Sequence, residues 1–101
     1  MSVFAKRLKE ARLAAGLSQE RLGLDAGLDP MSASARMNRY EQGKRTPNPA
    51  LAERIGEVLG VPGCYFYASD DETAGLLLAF SQVPGSERHK VVNLALKLAK
   101  G

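Results

Sequence analysis

The sequence of 101 residues holds one cysteine, one histidine and no tryptophan. A lone cysteine, Cys64, excludes an internal disulfide, and with His89 as the sole imidazole there is no Cys/His cluster to hold zinc. No apolar run approaches the length of about 20 residues that spans a bilayer. The N-terminal stretch carries Lys6, Arg7 and Lys9 on an amphipathic pattern, where a signal peptide would continue into an apolar core. A cytoplasmic chain without a membrane partner is expected. The glycines are spaced as helix stops and form no phosphate-binding loop, and no nucleophile with its base and no carboxylate pair stands out. An enzyme is therefore not expected, nor a cofactor or small-molecule ligand. Strand signals, repeats and low-complexity segments are also missing.

What is present is an ordinary globular composition, 45% hydrophobic and 25% charged. The length suits one compact core with an appended tail. The net charge of +3 is unevenly spread: residues 1–54 hold 10 Lys/Arg against 6 Asp/Glu, and residues 55–101 hold 4 against 5. A basic N-terminal half suits a polyanionic partner.

Apolar spacing predicts helices throughout. Phe4, Leu8, Ala11 and Ala15 mark a first helix over 3–15, ended by Gly16. Ser18 caps a second over 19–26, with Leu22 and Ala26 facing the core and Gly23 where another helix must cross close to the backbone. Asp29 and Pro30 read as cap and first residue of a third helix, running to Gln42 and stopped by Gly43. On its wheel Ala33, Met37, Tyr40 and Glu41 face inward; Ser32, Ala35 and Arg39 face outward, flanked by Met31, Arg36 and Asn38. After the basic loop 44–49, a fourth helix starts at Ala50 with Leu51, Ile55, Val58 and Leu59 on its inner stripe. Residues 63–67 form one turn over the core, with Cys64 as a buried filler.

Beyond the acidic junction Ser69–Glu72, residues 73–82 are apolar on all sides. A last helix then carries one stripe of Val91, Leu94, Ala95 and Leu98 and a second of Val92, Leu96 and Ala99. Two stripes need two packing partners. His89 is expected in solvent.

Two short helices joined across Gly27 and Leu28, the second with a small, polar and basic outer face, make a helix-turn-helix. In that arrangement the second helix enters the DNA major groove. Arg36, Arg39 and Asn38 are the side-chain types that read guanine and adenine edges there.

The segments Arg7–Arg12, Ala15–Leu22 and Asn38–Pro47 together resemble the Cro and phage-repressor (XRE) helix-turn-helix family. The resemblance covers about residues 4–67. It implies an all-α fold, a five-helix repressor-like domain over 1–68, here followed by a two-helix extension over 69–101 for packing or dimerisation. It also implies a transcriptional repressor that binds double-stranded DNA as a homodimer. Ser18 and Gln19 would serve as N-cap and phosphate clamp, Lys44 and Arg45 as loop phosphate contacts, and Ser34, Ala35 and Arg39 as base-reading positions. Arg12 and Glu41 would bridge the first helix to the end of the third. The sequence has about four more residues than usual between Gly27 and Tyr40. Either the recognition helix is longer at its start, bringing Met31 and Ser32 toward DNA over a helix of 30–42, or the turn before it is lengthened; the longer helix is the expectation. The alternative function is a protein-interaction or antitoxin-like module on the same helical fold.

Overall fold

A computed structural model describes residues 2–101. Among them there are six α-helices and no strands: α1 Val3–Ala14, α2 Gln19–Asp25, α3 Ala33–Glu41, α4 Pro49–Leu59, α5 Asp71–Gln82 and α6 Arg88–Ala99. Short 3-10 turns at Gly63–Tyr67 and Gly85–Glu87 precede α5 and α6.

The helix starts follow their caps. Ser2, Ser18, Asn48 and Asp70 each accept a backbone N–H three residues on, and Pro49 occupies the first position of α4, where no amide is needed. The core gathers Phe4 and Leu8 of α1, Leu22 of α2, Met37 of α3, Leu51 and Ile55 of α4 and Phe66 of the first 3-10 turn. Fully burying each such side chain stabilises by about 1.5–3 kcal/mol, so the inward stripes of α1 to α4 specify the head of the molecule. Cys64 is exposed, contrary to expectation. Gly63, Tyr65 and Phe66 take the inward places of that turn, and Cys64 is left outside.

The start of α3 corrects the sequence expectation. The helix begins at Ala33, not Pro30, and ends at Glu41. Residues 30–32 belong to a lengthened turn in which the Asp29 carboxylate accepts the Met31 N–H at 2.8 Å and the Asp29 carbonyl accepts the Ser32 N–H at 3.0 Å. Asp29 thus caps a local turn that competes with the helix. Ala33, fully buried, lies where a Cβ added to Gly23 would come within 2.9 Å of it. That close approach fixes the register of α3 on α2 and leaves Met31 94% exposed in front of the helix.

The root of α5 is tied to the head by Arg7. Its position on α1, between Phe4 and Leu8, is on the core stripe, and only 3% of it is exposed. Nε donates to the Ala68 carbonyl and Nη1 to Asp71 Oδ1, both at 2.9 Å, while the guanidinium lies 5.8 Å from the Tyr65 ring centre. The hydrogen bond to Asp71 and its charge raise the Arg7 pKa, so the group is cationic throughout the range of folding.

Asp70 heads α5, its carboxylate accepting the Thr73 N–H at 2.8 Å. That bond holds its pKa below the ordinary aspartate value. A depressed carboxyl contributes stability above the unfolded pKa of about 3.9 and loses it as pH falls through the folded value. Asp70→Ala should therefore lower the thermal midpoint at pH 7, and the gap from the parent should close as pH drops below about 4. Circular dichroism melts at a series of pH values check this; a gap that is constant with pH would contradict it.

Candidate nucleic-acid interface

The outward arc of α3 runs from Ser34 through Asn38, Ala35 and Arg39 to Arg36, opposite the buried Ala33, Met37, Tyr40 and Glu41. Ser34, Ala35 and Arg39 are exposed, and Asn38 and Arg36 are half-buried at the edges of the arc. The inward set agrees with the wheel drawn from sequence; of the outward set Ala35, Arg36, Asn38 and Arg39 lie on this arc, whereas Met31 and Ser32 stand in the turn before the helix.

On one edge of this arc stands the start of α2. Ser18 Oγ accepts the Arg21 N–H at 2.9 Å, confirming the N-cap. Gln19 Nε2 donates to Asn38 Oδ1 at 3.2 Å and to Glu41 Oε1 at 3.3 Å. These bonds join the two helices and leave Gln19 Oε1 and the Asn38 amide nitrogen free to meet an external group. The other edge is the loop after α3. Gly43 turns the chain with φ +73°, a conformation few other residues adopt, and the Lys44 N–H returns to the Arg39 carbonyl at 3.0 Å.

That turn carries Lys44 and Arg45 outward, both exposed. Arg36, Arg39, Tyr40 and Arg45 line one open cleft of about 390 Å³. Arg36 Nη2 donates to the Tyr40 hydroxyl at 2.9 Å. The anchored guanidinium gives up less conformational freedom on meeting an anion than a free one would. Among the described residues no carboxylate lines the cleft, and its three arginines supply the charge there.

Behind the face, Arg12 and Glu41 form a near-buried fork. Arg12 Nε and Nη2 donate to Glu41 Oε2 and Oε1 at 2.5 and 3.0 Å, with side chains 11% and 4% exposed. Arg12 Nη1 also donates to the Leu17 carbonyl, and the hydrogen bond to Glu41 raises the Arg12 pKa. Glu41 therefore holds α1, the start of α2 through Gln19, and the end of α3 at once. The expected bridge is present.

Of the ten residues singled out from sequence, Ser18, Gln19, Ser34, Ala35, Arg36, Asn38, Arg39, Lys44 and Arg45 lie on α3 or on the two edges that flank it. Ser32 does not join the helix. It is half-buried in the turn, its hydroxyl 3.4 Å from the Asp29 carbonyl. Sequence reasoning missed two arginines that brace the head, Arg54 beside the face and Arg7 at the root of α5. Arg54 of α4 donates from Nε to the Ala26 carbonyl at 3.0 Å, closing the end of α2 just before the lengthened turn. Nothing in the local sequence marks it, because its partner is 28 residues away. Arg7 carried a legible signal, since a charge on an apolar stripe at helical spacing has to find a buried partner.

Comparison with known proteins bears on the fold that carries these residues. A family model described as a helix-turn-helix domain matches residues 3–64. The solved structure of the transcriptional regulator BswR is similar over 96% of this chain and 98% of its own, with 39% sequence identity and a TM-score of 0.82. A search of curated proteins gave no match.

Proposed function

Since the chain belongs to the helix-turn-helix domain family, we propose that it is a transcriptional regulator that reads duplex DNA by seating α3 in the major groove. The observation that carries this reading is the common face: the exposed arc of α3 is bordered by the start of α2 on one side and by Arg45 on the other. A duplex approaching α3 meets phosphates at both borders, where Gln19, the first amides of α2, Lys44 and Arg45 offer donors. Between them Ser34, Ala35, Asn38 and Arg39 reach toward base edges, with Arg39 suited to a forked contact on guanine. Met31 and Ser32, in the turn ahead of α3, serve at most the flanking backbone.

The protein acts in the cytoplasm as a homodimer on a two-fold site, with half-sites one helical turn, about 34 Å, apart. Residues 1–68 form the reading head and residues 69–101 the extension that brings two heads together. Repression by occupancy needs no surface beyond the one described, and is the mode we assign.

Selection of sites from random duplex DNA tests the reading, because it reports sequence, spacing and symmetry together. Arg39→Ala should cost about 1–3 kcal/mol on the selected site and relax preference at one base pair. Lys44→Ala or Arg45→Ala should weaken all sequences alike and reduce the salt slope by about one. Binding that is weak and indifferent to salt would leave the helical fold to a protein-interaction role.

A further inference from the structure

Arg36 and Tyr40 stand at the loop edge of α3, away from the middle of its outward arc. Arg36 is half-buried there, and Tyr40, one helical turn on, is only 5% exposed, its ring part of the core of the head. Arg36 Nη2 donates to the Tyr40 hydroxyl at 2.9 Å, and the guanidinium lies 6.0 Å from the Tyr40 ring centre. Tied back to a core side chain, Arg36 does not extend outward as the exposed Arg39 does. It shares a cleft with Arg45 of the loop instead.

The Tyr40 hydroxyl is occupied on one side only. Its oxygen accepts from Arg36, while its own proton has no acceptor among the described residues. A buried tyrosine hydroxyl ordinarily finds a partner for that proton. This one opens onto the cleft that Arg36, Arg39 and Arg45 also line, and none of the three arginines enters an ion pair among the described residues. Like charges gathered on one cleft repel, and an anion seated there relieves the repulsion. Guanidinium groups and an unused O–H are all donors, so the group that fits brings acceptors and negative charge. A phosphate does both, and its paired oxygens match forked donors.

We propose that Arg36, Tyr40 and Arg45 form a ready-made clamp for one phosphate of the DNA backbone, with the Tyr40 O–H donating to one phosphate oxygen and the two guanidinium groups holding the charge. The clamp rests on the reading of the chain as a duplex-DNA regulator and moves Arg36, a base-reading type by sequence, to the backbone. A DNA strand is favoured over a free phosphate as the source because Arg39, on the base-reading arc, lines the same cleft, so a duplex seated on α3 brings its backbone there. The consequence is register. A phosphate fixed beside the loop sets how far α3 enters the groove and where Arg39 falls along it, while carrying no base preference of its own.

Binding titrations on the selected DNA site, at several salt concentrations, test this with two variants of the full chain. Arg36→Ala should weaken binding to every sequence by about 10-fold or more and lower the salt slope by about one. Tyr40→Phe keeps the buried ring and should weaken binding by about 10-fold with the slope unchanged, because it removes a hydrogen bond to a charged group and no charge. Duplexes carrying a neutral methylphosphonate at one backbone position at a time should reveal a single position that costs the parent about 10-fold and costs both variants much less. Thermal melts without DNA, in orthophosphate against chloride at matched ionic strength, ask whether a free anion fills the cleft. Altered preference at one base pair in Arg36→Ala, with the salt slope kept, would return Arg36 to base reading and overturn the clamp. Parental affinity in Tyr40→Phe also overturns it, as does a scan with no coupled position. Stabilisation of the parent alone by orthophosphate, together with such a scan, would make the ligand a free anion. A parent without salt-dependent affinity for any duplex overturns the clamp and the DNA reading together; each of the other failures leaves DNA binding intact.

Discussion

Glu41→Ala is expected to lower the stability of the fold by about 3–5 kcal/mol, enough to leave little of the net stability of a domain this size. The substitution removes both acceptors of the Arg12 fork and leaves that guanidinium enclosed, with only the Leu17 carbonyl still bound. Gln19 loses one of its two partners at the same time. The cost is larger than that of a surface ion pair, about 0–1 kcal/mol, because little water can reach the stranded charge. Glu41→Gln should be milder, since one acceptor survives. Arg12→Ala combined with Glu41→Ala should recover part of the single loss, because no uncompensated charge remains. Urea unfolding followed by circular dichroism measures all four proteins; a loss below about 1 kcal/mol in Glu41→Ala would mean that the fork is solvated and structurally idle.

The second large effect lies at the crossing of α2 and α3. Helix propensity alone makes Gly23→Ala favourable by about 1 kcal/mol. Packing opposes it: the new Cβ would stand 2.9 Å from both the Cβ and the carbonyl oxygen of Ala33, and backbone cannot yield as a flexible side chain can. Overpacking costs about 1–3 kcal/mol, so Gly23→Ala should be neutral to destabilising and Gly23→Leu destabilising by about 3 kcal/mol. Ala33 opens α3, so the displacement also swings Ser34 and Arg39 relative to Gln19. DNA affinity should therefore fall further than the folded fraction alone explains. Thermal melts and binding titrations on the same preparations separate the two losses. A Gly23→Leu protein with parental stability and affinity would show that the helices can part without consequence.

The inward face of each head helix was legible because it depends on periodicity alone: Phe4 and Leu8, Leu22, Met37 and Tyr40, Leu51 and Ile55 all fall where a spacing of three or four residues puts them. The residues on the candidate interface were readable for the same reason, since the outer arc of α3 is what remains when its inner side is removed. Gly23 was also legible, as a costly residue within a helix whose absence of a side chain implied a close crossing. The start of α3 was misread because Asp29-Pro30 is equally good chemistry for capping a helix and for making a turn. Local sequence cannot distinguish these; the contact of Ala33 with Gly23 does. Cys64 was misplaced because a five-residue 3-10 turn has too few inward places for all of its apolar side chains.

By itself the sequence determined that the chain is helical, which side of each head helix is buried, and that a basic arc and loop lie close together along the chain, because each of these follows from spacing within a few turns. Only the tertiary structure decided where α3 begins and that Arg7 and Arg54 bind carbonyls 61 and 28 residues away. The physical reason is range. A helix face is set by neighbours three and four residues apart, whereas a partner for a buried guanidinium exists only once distant segments have been brought together.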